Sequence, residues 1–593
     1  MRQGLAAALL VGLAPPAIGQ IPSTGVIEVP SGVVVDGVPP LPAALAEAMR
    51  SYTGGNRTSA STETRYPSPT GDIMIIQKDA DGDELYQLYA LQNGRLTRLT
   101  DGKAYNLFGG FSSDGRLIAF TSAKRNGIDP DFYVMDPRDP ASARLVAAVD
   151  GGSWEFECFR PGDTHAIVAN YTSYENRDLY DLDITTGKLT PLARPGRDVL
   201  FVAPRITSTG TLWVLSDDGS DVLRLGTLRA GSFSPVTPEH KWPVEAYRFV
   251  PGGRIAYVVN EGGASKLHLL DLKTRQRRSA TLPVGIIRGL AVRGDKITFN
   301  LSGAQLSGGT FSVDPDTMAV TRTGGTDRHR NAPAELVTIR SFDGEPVSGF
   351  LYRPDPARFP GKRPLLVHIH GGPVSQSRPG DRGIANYYTN ELGVAMFYPN
   401  VRGSEGYGRR FRTLDNGPWK REDAVKDIGA FLDHFSADAA IDVARIGVQG
   451  PSYGGYMCYA SAIHYGARLK GAYCYVAVAE LARDKSGLSR RSRSRAEYGD
   501  ERDPKQRAKL LAISPLTNAA RLRIPLLVMD GGEDPRVPAA QGELMTKAVR
   551  AAGGDVWRVL ARDEGHGVYF SRTENRNFQA YVALDFWQRH LLR

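Results

Sequence analysis

Residues 444–455 read ARIGVQGPSYGG and place a serine at the centre of a G-x-S-x-G pattern. The apolar residues before this pattern predict a strand, and the composition of the residues after Ser452 predicts a helix. A serine at such a strand-to-helix turn presents its hydroxyl at the carboxyl edge of a parallel sheet. Gly450 and Gly454 fit the turn, because a Cβ at either position would collide with neighbouring backbone. The pattern therefore predicts a nucleophile, Ser452, on an α/β-hydrolase domain.

The sequence on both sides of this turn alternates between strand and helix patterns. Residues 365–370 and 524–529 are apolar runs of the length and type found inside parallel sheets. Residues 423–435 and 453–465 have helix-forming composition. We therefore assign residues 333–593 to a single α/β-hydrolase catalytic domain.

A serine hydroxyl needs a base to remove its proton and an acid to orient that base. In this fold the chain order is serine, acid, histidine. His566 lies between two glycines in a predicted loop and is the best candidate for the base. His464 and His590 lie in helical segments, and His434 precedes the serine, so none of the three has a suitable setting.

The orienting acid should follow a strand at the carboxyl edge of the sheet, where ligands of open α/β sheets bind. The strand that ends near residue 530 is followed by a Gly-Gly loop with several carboxylates. Asp530, Glu533 and Asp534 all compete for the role on this pattern alone.

An acyl-transfer site also needs two N–H donors for the developing oxyanion. The backbone N–H of Tyr453, directly after the nucleophile, is the first candidate. The loop His370-Gly371-Gly372-Pro373 supplies the second, since its glycines allow close backbone approach to a substrate. His368 and His370 could instead be a metal pair, but no third ligand at zinc-like spacing accompanies them. We expect neither a metal nor a cofactor.

The first half of the chain repeats a turn glycine followed by a β-rich strand. The intervals between these glycines are 41–48 residues, and the glycines are Gly71, Gly115, Gly162, Gly210, Gly253 and Gly294. A period of this length with about four strands predicts one β-propeller blade per unit. A long β-sandwich would not keep the spacing six times. We therefore predict a propeller over residues 61–328 with six blades, or seven if closure combines strands from both ends.

Composition restricts the class of protein further. The chain has 593 residues, of which 41% are hydrophobic and 23% charged, as in ordinary globular proteins. Three cysteines exclude a disulfide scaffold, and we expect them to be buried thiols. The net charge of +9 on so long a chain is weak evidence for nucleic acid, which we do not expect as a partner. No internal stretch has the roughly 18 apolar residues of a transmembrane span.

The N-terminus has the three parts of a secretory signal peptide. Arg2 provides the positive start, residues 5–13 form an apolar run, and Ala17 and Gly19 are the small residues before cleavage. We expect a signal peptide at residues 1–19, an extension at residues 20–60, and export to a bacterial periplasm.

Taken together, the motifs of the second half resemble the prolyl oligopeptidase family of serine peptidases (peptidase S9). The resemblance is to its acylaminoacyl-peptidase and dipeptidyl-peptidase-like branches, and the repeats resemble the TolB-like propeller of the same proteins. The matching motifs are HGGP (370–373), NVRGSEGYG (400–408), GPSYGGY (450–456), YGDERDP (498–504), SPL (514–516), DPRVP (534–538) and EGHG (564–567).

The resemblance implies a role for each motif residue. Ser452 is then the nucleophile, Asp534 the orienting acid and His566 the base, with the Tyr453 and Gly372 amides as the oxyanion hole. It also implies a cavity between propeller and hydrolase that admits short peptides and excludes folded proteins. An esterase or amidase on the same triad remains an alternative. So does a propeller binding protein with an inactive hydrolase domain.

Two features are left open for substrate recognition. Dipeptidyl aminopeptidases of this family hold the substrate amine with paired propeller glutamates, but Glu155 and Glu157 do not match that spacing convincingly. The run from Ser489 to Arg495 could bind a peptide carboxylate, although a solvated surface loop is the simpler interpretation. Post-proline specificity and exo or endo cleavage are not indicated, and a homo-oligomer is possible.

Overall fold

The computed structural model describes residues 25–53, 63–325, 331–485, 491–567 and 570–593. The predicted signal peptide lies outside these residues, as do Ser489 and Arg490 of the arginine-rich run. Within the described part, no helix combines the length and apolar character needed to cross a bilayer.

Residues 63–325 fold into six four-stranded antiparallel sheets, each built from consecutive strands. The predicted propeller is therefore confirmed with six blades, and no seventh sheet of this kind lies among the described residues. Each turn glycine of the repeat lies between the first and second strands of its blade and has positive φ.

The propeller strands follow β1 (Val33–Asp36) of the N-terminal segment and run in chain order from the first blade to the sixth. They are β2 (Thr64–Pro67), β3 (Met74–Lys78), β4 (Gln87–Gln92) and β5 (Arg95–Arg98); β6 (Asn106–Phe111), β7 (Ile118–Ser122), β8 (Asp131–Asp136) and β9 (Asp139–Ala147); β10 (Trp154–Phe159), β11 (His165–Tyr171), β12 (Arg177–Asp183) and β13 (Leu189–Pro191); β14 (Phe201–Ile206), β15 (Leu212–Ser216), β16 (Arg224–Arg229) and β17 (Ser232–Pro235); β18 (Val244–Val250), β19 (Arg254–Glu261), β20 (Ala264–Asp271) and β21 (Arg277–Ser279); β22 (Ile286–Arg293), β23 (Lys296–Gly303), β24 (Leu306–Val313) and β25 (Val320–Gly324).

Neighbouring blades bury their faces against each other. In one hydrophobic cluster, Ala119 and Phe132 of the second blade pack with Trp154 and Val168 of the third. Similar clusters join the first blade to the second, the third to the fourth, the fourth to the fifth, and the fifth to the sixth. A single blade cannot bury both faces, so this stacking stabilises the ring.

The second half forms a nine-stranded sheet in the order β1-β33-β32-β31-β30-β28-β29-β27-β26. Its central strands, from β29 to β33, are parallel, as an α/β-hydrolase sheet requires. Its strands are β26 (Ala334–Arg340), β27 (Pro346–Tyr352), β28 (Arg363–His368), β29 (Ala395–Asn400), β30 (Ile441–Pro451), β31 (Gly471–Tyr475), β32 (Leu526–Gly531) and β33 (Val556–Ala561).

Helices cover both faces of this sheet. The α-helices of the described residues are α1 (Ala44–Ala48), α2 (Arg50–Thr53), α3 (Asn386–Asn390), α4 (Arg409–Arg412), α5 (Asp423–Ser436), α6 (Tyr453–Tyr465), α7 (Arg491–Tyr498), α8 (Pro504–Ala512), α9 (Ala540–Ala551) and α10 (Thr573–His590). Helices α5, α6 and α9 contribute to the core on one face, and α1, α3 and α10 to the core on the other.

The N-terminal extension is part of the hydrolase unit. Strand β1 pairs antiparallel with β33, with Val33 opposite Ala561, and so forms one edge of the sheet. Leu45 and Met49 pack into the same core as α10. A segment that precedes the propeller in sequence thus forms the edge strand of the sheet built by the residues that follow the propeller.

The cysteines differ from the expectation of three buried thiols. Cys458 of α6 and Cys474 of β31 form a disulfide across a Cα–Cα distance of 5.7 Å. The pairing arises because α6 packs directly on β31, which brings one helix face within disulfide reach of the strand. Cys158 is a free thiol, and burial raises its pKa to about 11.

Candidate active site

The predicted turn is present between β30 and α6. Ser452 has φ 56° and ψ −120°, a conformation that costs a non-glycine residue about 1–3 kcal/mol. A Cβ on Gly450 would lie 2.6 Å from the Ile369 carbonyl oxygen, and one on Gly454 only 2.2 Å from the same atom. The close packing of the turn against the end of β28 therefore holds the serine in its unusual conformation.

Ser452, His566 and Asp534 form one continuous hydrogen-bonded chain. His566 Nε2 lies 2.9 Å from Ser452 Oγ, and His566 Nδ1 lies 2.6 Å from Asp534 Oδ2. Because an ionised carboxylate only accepts, Nδ1 carries the ring proton and leaves Nε2 to accept from the hydroxyl. This is the arrangement needed to activate a serine.

The structure distinguishes between the three candidate acids. Asp534 is buried, and its Oδ1 accepts hydrogen bonds of 2.8 Å from the backbone N–H groups of Arg536 and Val537. Glu533 is exposed. Asp530 lies near Arg558, 3.5 Å away, and burial raises its pKa to about 7. Only Asp534 contacts the histidine.

The loop that carries His566 is held by a buried carboxylate and by the propeller. Glu564 accepts hydrogen bonds from the backbone N–H groups of Ser571 and Arg572. On the other side, Gly565 touches the loop between β3 and β4: a Cβ on it would lie 2.0 Å from the Gly82 carbonyl oxygen. The first blade thus packs directly on the loop of the base.

The predicted oxyanion donors are available beside the serine. Within the described residues, neither the Tyr453 N–H nor the Gly372 N–H has a protein acceptor. His370 Nδ1 donates to the Gly371 carbonyl at 2.8 Å, and His370 Nε2 accepts from Ser404 at 2.9 Å. The Gly371 carbonyl and Gly372 N–H belong to one planar peptide and point in opposite directions. His370 therefore fixes the direction of the Gly372 donor, and burial lowers the pKa of the ring, which keeps it neutral.

The hydrogen bonds of His368 connect it to neighbouring side chains of the hydrolase core. Its Nδ1 lies 3.0 Å from the Gln449 side-chain amide, whose oxygen accepts from Trp587. Burial lowers the pKa of His368 to about 3. Among the described residues, no cluster of three or more histidine, cysteine or acidic side chains is arranged around a metal position.

A buried ionic network behind the serine was not foreseen from the sequence. Arg421, fully buried, pairs with Asp415 and Glu497, each 2.7 Å away. Asp415 also accepts a 3.2 Å hydrogen bond from the hydroxyl of Tyr453. The network ties the residue after Ser452 to α7 through Glu497, which directly precedes the YGDERDP motif.

A cavity of about 230 Å³ lies over the triad between the two halves of the molecule. Its lining comes from the hydrolase except for Tyr174 of the third blade, and comprises Tyr174, Gly372, Pro373, Ser452, Val478, Glu480, Leu481, Arg483, Lys485, Arg493, Ser494, Tyr498, Arg536, Val537 and His566.

Loops between the second and third strands of the blades also contact the hydrolase. Asp129 pairs with Arg491, and Asp217 with Arg409, at 2.9 and 3.0 Å. These contacts hold the propeller against the hydrolase.

The structure gives positions for the two glutamates and for the arginine-rich run that the sequence left open. Glu155 and Glu157 both bond to the buried Arg177, so that both carboxylates are engaged within the third blade. The interpretation of the arginine-rich run as a solvated loop is wrong for its described part. Arg491 and the residues after it form α7, packed between propeller and hydrolase, and Arg493 lines the cavity.

Comparison with known proteins identifies the domain that carries this site. Residues 383–592 match the family described as "Prolyl oligopeptidase family". Dipeptidyl aminopeptidase BIII of Pseudoxanthomonas mexicana is 31% identical over 256 residues, covering 41% of this chain and 36% of that protein. Dipeptidyl-peptidase 5 of Porphyromonas gingivalis is 23% identical over 420 residues, covering 67% of this chain and 60% of that protein.

The fold extends beyond the matched segment. Oligopeptidase B from Leishmania major superposes with a TM-score of 0.75 at 14% identity, over 89% of this chain and 78% of that one. At this identity the likeness concerns the fold alone. The alignments cover less than two thirds of either curated relative. Residues 383–592 of the hydrolase half thus match the prolyl oligopeptidase family, and in this chain they follow a six-bladed propeller.

Proposed function

We propose that this protein is a serine peptidase that hydrolyses short peptides through an acyl-enzyme. The observation that carries the proposal is the unbroken chain from Ser452 through His566 to Asp534, open to a cavity between two domains. The family of the matched domain supports peptide bonds as the target.

The geometry supports a two-step reaction. Ser452 Oγ attacks the scissile carbonyl carbon while His566 Nε2 takes the hydroxyl proton. The same Nε2 then gives this proton to the departing amine, and the acyl group stays on the serine. A water, deprotonated by His566 Nε2, then attacks the ester carbon. The bond between this carbon and Ser452 Oγ breaks, His566 returns the proton to the serine oxygen, and the acid is released. Asp534 keeps the ring oriented and stabilises its positive charge throughout.

The negative charge that develops on the carbonyl oxygen is stabilised by the Tyr453 and Gly372 N–H groups. Both are held before substrate arrives, one by the start of α6 and the other through His370. Loss of one such donor typically costs about 10²–10³ in turnover.

We also propose that the propeller restricts access to short peptides. The cavity is small, and ion pairs between blade loops and the hydrolase hold the two domains against each other. A folded protein could not bring a peptide bond to Ser452 without separation of the two domains.

Hydrolysis of a mixed peptide library, followed by mass spectrometry, tests the proposal. Wild-type protein should cleave peptides, whereas Ser452→Ala should not, and the matched surface variant Ser232→Ala should behave as wild type. A parallel panel of acyl esters covers the alternative chemistry. Rapid ester hydrolysis without cleavage of any peptide would contradict the peptidase assignment and favour an esterase.

For the location of the protein, we propose export to an oxidising compartment such as the periplasm. The signal-peptide pattern of residues 1–19 and the Cys458–Cys474 disulfide support this, because disulfides persist mainly outside the cytosol. Cell fractionation with N-terminal sequencing should find the chain in the periplasm, beginning at Gln20. A cytosolic protein with both cysteines reduced would contradict the proposal.

A further inference from the structure

The cavity over Ser452 is rich in positive charge. Four cationic side chains line it, with Glu480 as the single carboxylate among the lining residues: Arg483, Lys485, Arg493 and Arg536. Two of the four are neutralised from outside the cavity. Lys485 pairs with Glu501 at 3.1 Å, and Arg536 with Glu84 at 2.5 Å. Arg483 and Arg493 have no such ion-pair partner among the described residues.

Arg493 is the unpaired member of an otherwise paired series on α7. Arg491 before it pairs with Asp129, and Arg495 after it pairs with Glu501. No described carboxylate pairs with Arg493, and its buried Nε has no described hydrogen-bond partner. Its guanidinium instead lies 4.4 Å from the centre of the Tyr171 ring. Stacking of this kind fixes the plane of the group and leaves its N–H edge free for an acceptor.

Arg483 reaches the same cavity from the segment after β31. Its one hydrogen bond within the described residues is donated to the backbone carbonyl of Arg536. Burial lowers the pKa of Arg483 in spite of the nearby charges of Asp534 and Glu480, and no described carboxylate forms an ion pair with it. Arg483 is half-buried, whereas Arg177 and Arg421 are buried and each contact two carboxylates.

Withdrawing a charge from water without a counter-ion is costly, and at Arg177 and Arg421 the chain supplies carboxylates to offset that cost. Two guanidiniums beside a catalytic serine are therefore a site for an anion that arrives with the substrate. Carboxylate is the anion that a peptide supplies, and the guanidinium fork matches its two oxygens.

We propose that Arg483 and Arg493 form a carboxylate-binding subsite, so that the enzyme prefers peptides with a carboxylate near the scissile bond. The inference rests on the proposed peptidase function and specifies its substrate class. The carboxylate is either an aspartate or glutamate side chain or the free C-terminus of the peptide, and the chemistry of the subsite is the same for both.

A matched set of peptides separates the two sources. One pair differs only in Glu or Gln beside the cleaved bond, and the other only in a free or amidated C-terminus. We expect wild-type kcat/KM to be at least about tenfold higher for the charged member of one pair, and the pair that shows it identifies the source. Equal rates for both members of both pairs would overturn the subsite while leaving the peptidase function intact. Failure to cleave any of the four would instead contradict the peptidase function.

Variants connect the preference to the two arginines. Arg483→Gln and Arg493→Gln should each reduce the charged-to-neutral ratio to within about twofold of unity, whereas Arg493→Lys should retain part of it. Arg293→Gln, an exposed arginine of the sixth blade, is the matched control and should keep the wild-type ratio. A preference that survives both glutamine variants would overturn the assignment.

Binding provides a measurement that does not depend on turnover or on the folding of the arginine variants. Calorimetric titration of the Ser452→Ala protein with acetyl-Ala-Ala and with its C-terminal amide covers the free carboxylate. Acetyl-Ala-Glu-amide and acetyl-Ala-Gln-amide cover the side chain. Tighter binding of one charged ligand by at least about tenfold, weakened by added salt, is expected. Equal affinities in both pairs would overturn the proposal.

Discussion

The two sides of the triad are held in different ways. Ser452 sits in a turn that the hydrolase alone determines, because glycines of β30 and α6 pack against the end of β28. His566 sits on a loop that depends in part on the propeller, since Gly565 touches Gly82 of the first blade. The proposed nucleophile is thus a local feature of one domain, whereas the loop of the proposed base contacts both domains. The contact with the propeller therefore contributes to the position of the loop that carries His566.

The largest effect should come from removal of the base. His566→Ala should lower kcat by roughly 10⁴-fold or more, because the serine then has no acceptor for its proton. Steady-state kinetics on a cleaved peptide measures the loss, and circular dichroism checks the fold. His464→Gln is the matched control, since this histidine of α6 contacts Glu422 instead of the triad, and it should remain within about twofold of wild type. Comparable losses in both variants would contradict the assignment.

Gly454→Ala tests the local half of the comparison. The new Cβ would lie 2.2 Å from the Ile369 carbonyl oxygen, so the turn must shift. We expect kcat to fall by about 10²-fold and the free energy of unfolding by about 1–3 kcal/mol. Gly466→Ala, at the other end of the same helix, is the control, since the nearest atom to its Cβ is 3.9 Å away. Wild-type activity of Gly454→Ala would show that the turn is not tightly packed.

Glu84→Gln tests the half that depends on the propeller. Glu84 pairs with Arg536, whose backbone N–H orients Asp534, but both side chains are partly exposed. Such pairs contribute at most about 1 kcal/mol, so kcat/KM should fall about two- to fivefold, and less at high salt. Glu543→Gln removes a comparable pair on the surface of α9 and should have no effect on kcat/KM. If the two variants had the same kcat/KM, the proposal that the propeller influences the catalytic geometry would be contradicted.

Asp530→Asn should change the pH dependence of stability with little effect on turnover. The folded pKa of Asp530, about 7, lies above its ordinary value of 3.8, so folding favours the protonated form. Wild-type stability is therefore lost as pH rises from about 4 to 7, by at most about 1.4 kcal/mol per pH unit from this group. Asparagine removes the dependence, so the variant should gain stability relative to wild type over that range in urea unfolding. A constant difference would contradict the raised pKa.

Motif order and repeat spacing were enough to predict much of the molecule. The strand, turn and helix around Ser452 are contiguous, and the six turn glycines recur at nearly constant intervals, so both folds follow from local pattern. The choice of Asp534 over Asp530 and Glu533 required the family resemblance. The three acids lie within five residues of one another, and the sequence does not show in which direction each side chain points.

Features that join distant segments were not accessible from the sequence. The Cys458–Cys474 bond depends on which face of α6 meets β31. The pairing of β1 with β33 joins residues more than 500 apart, and the position of α7 depends on the buried Arg421 network. The composition of the arginine-rich run predicted a solvated surface loop. In the structure, the packing of α7 places Arg493 in the lining of the cavity.

The most direct test of the central claim is to map covalent labelling by a fluorophosphonate probe. Intact mass and peptide mapping of the wild-type protein should find one adduct, on Ser452, and the Ser452→Ala protein should remain unlabelled. An adduct on another residue, or undiminished labelling of the variant, would contradict the account.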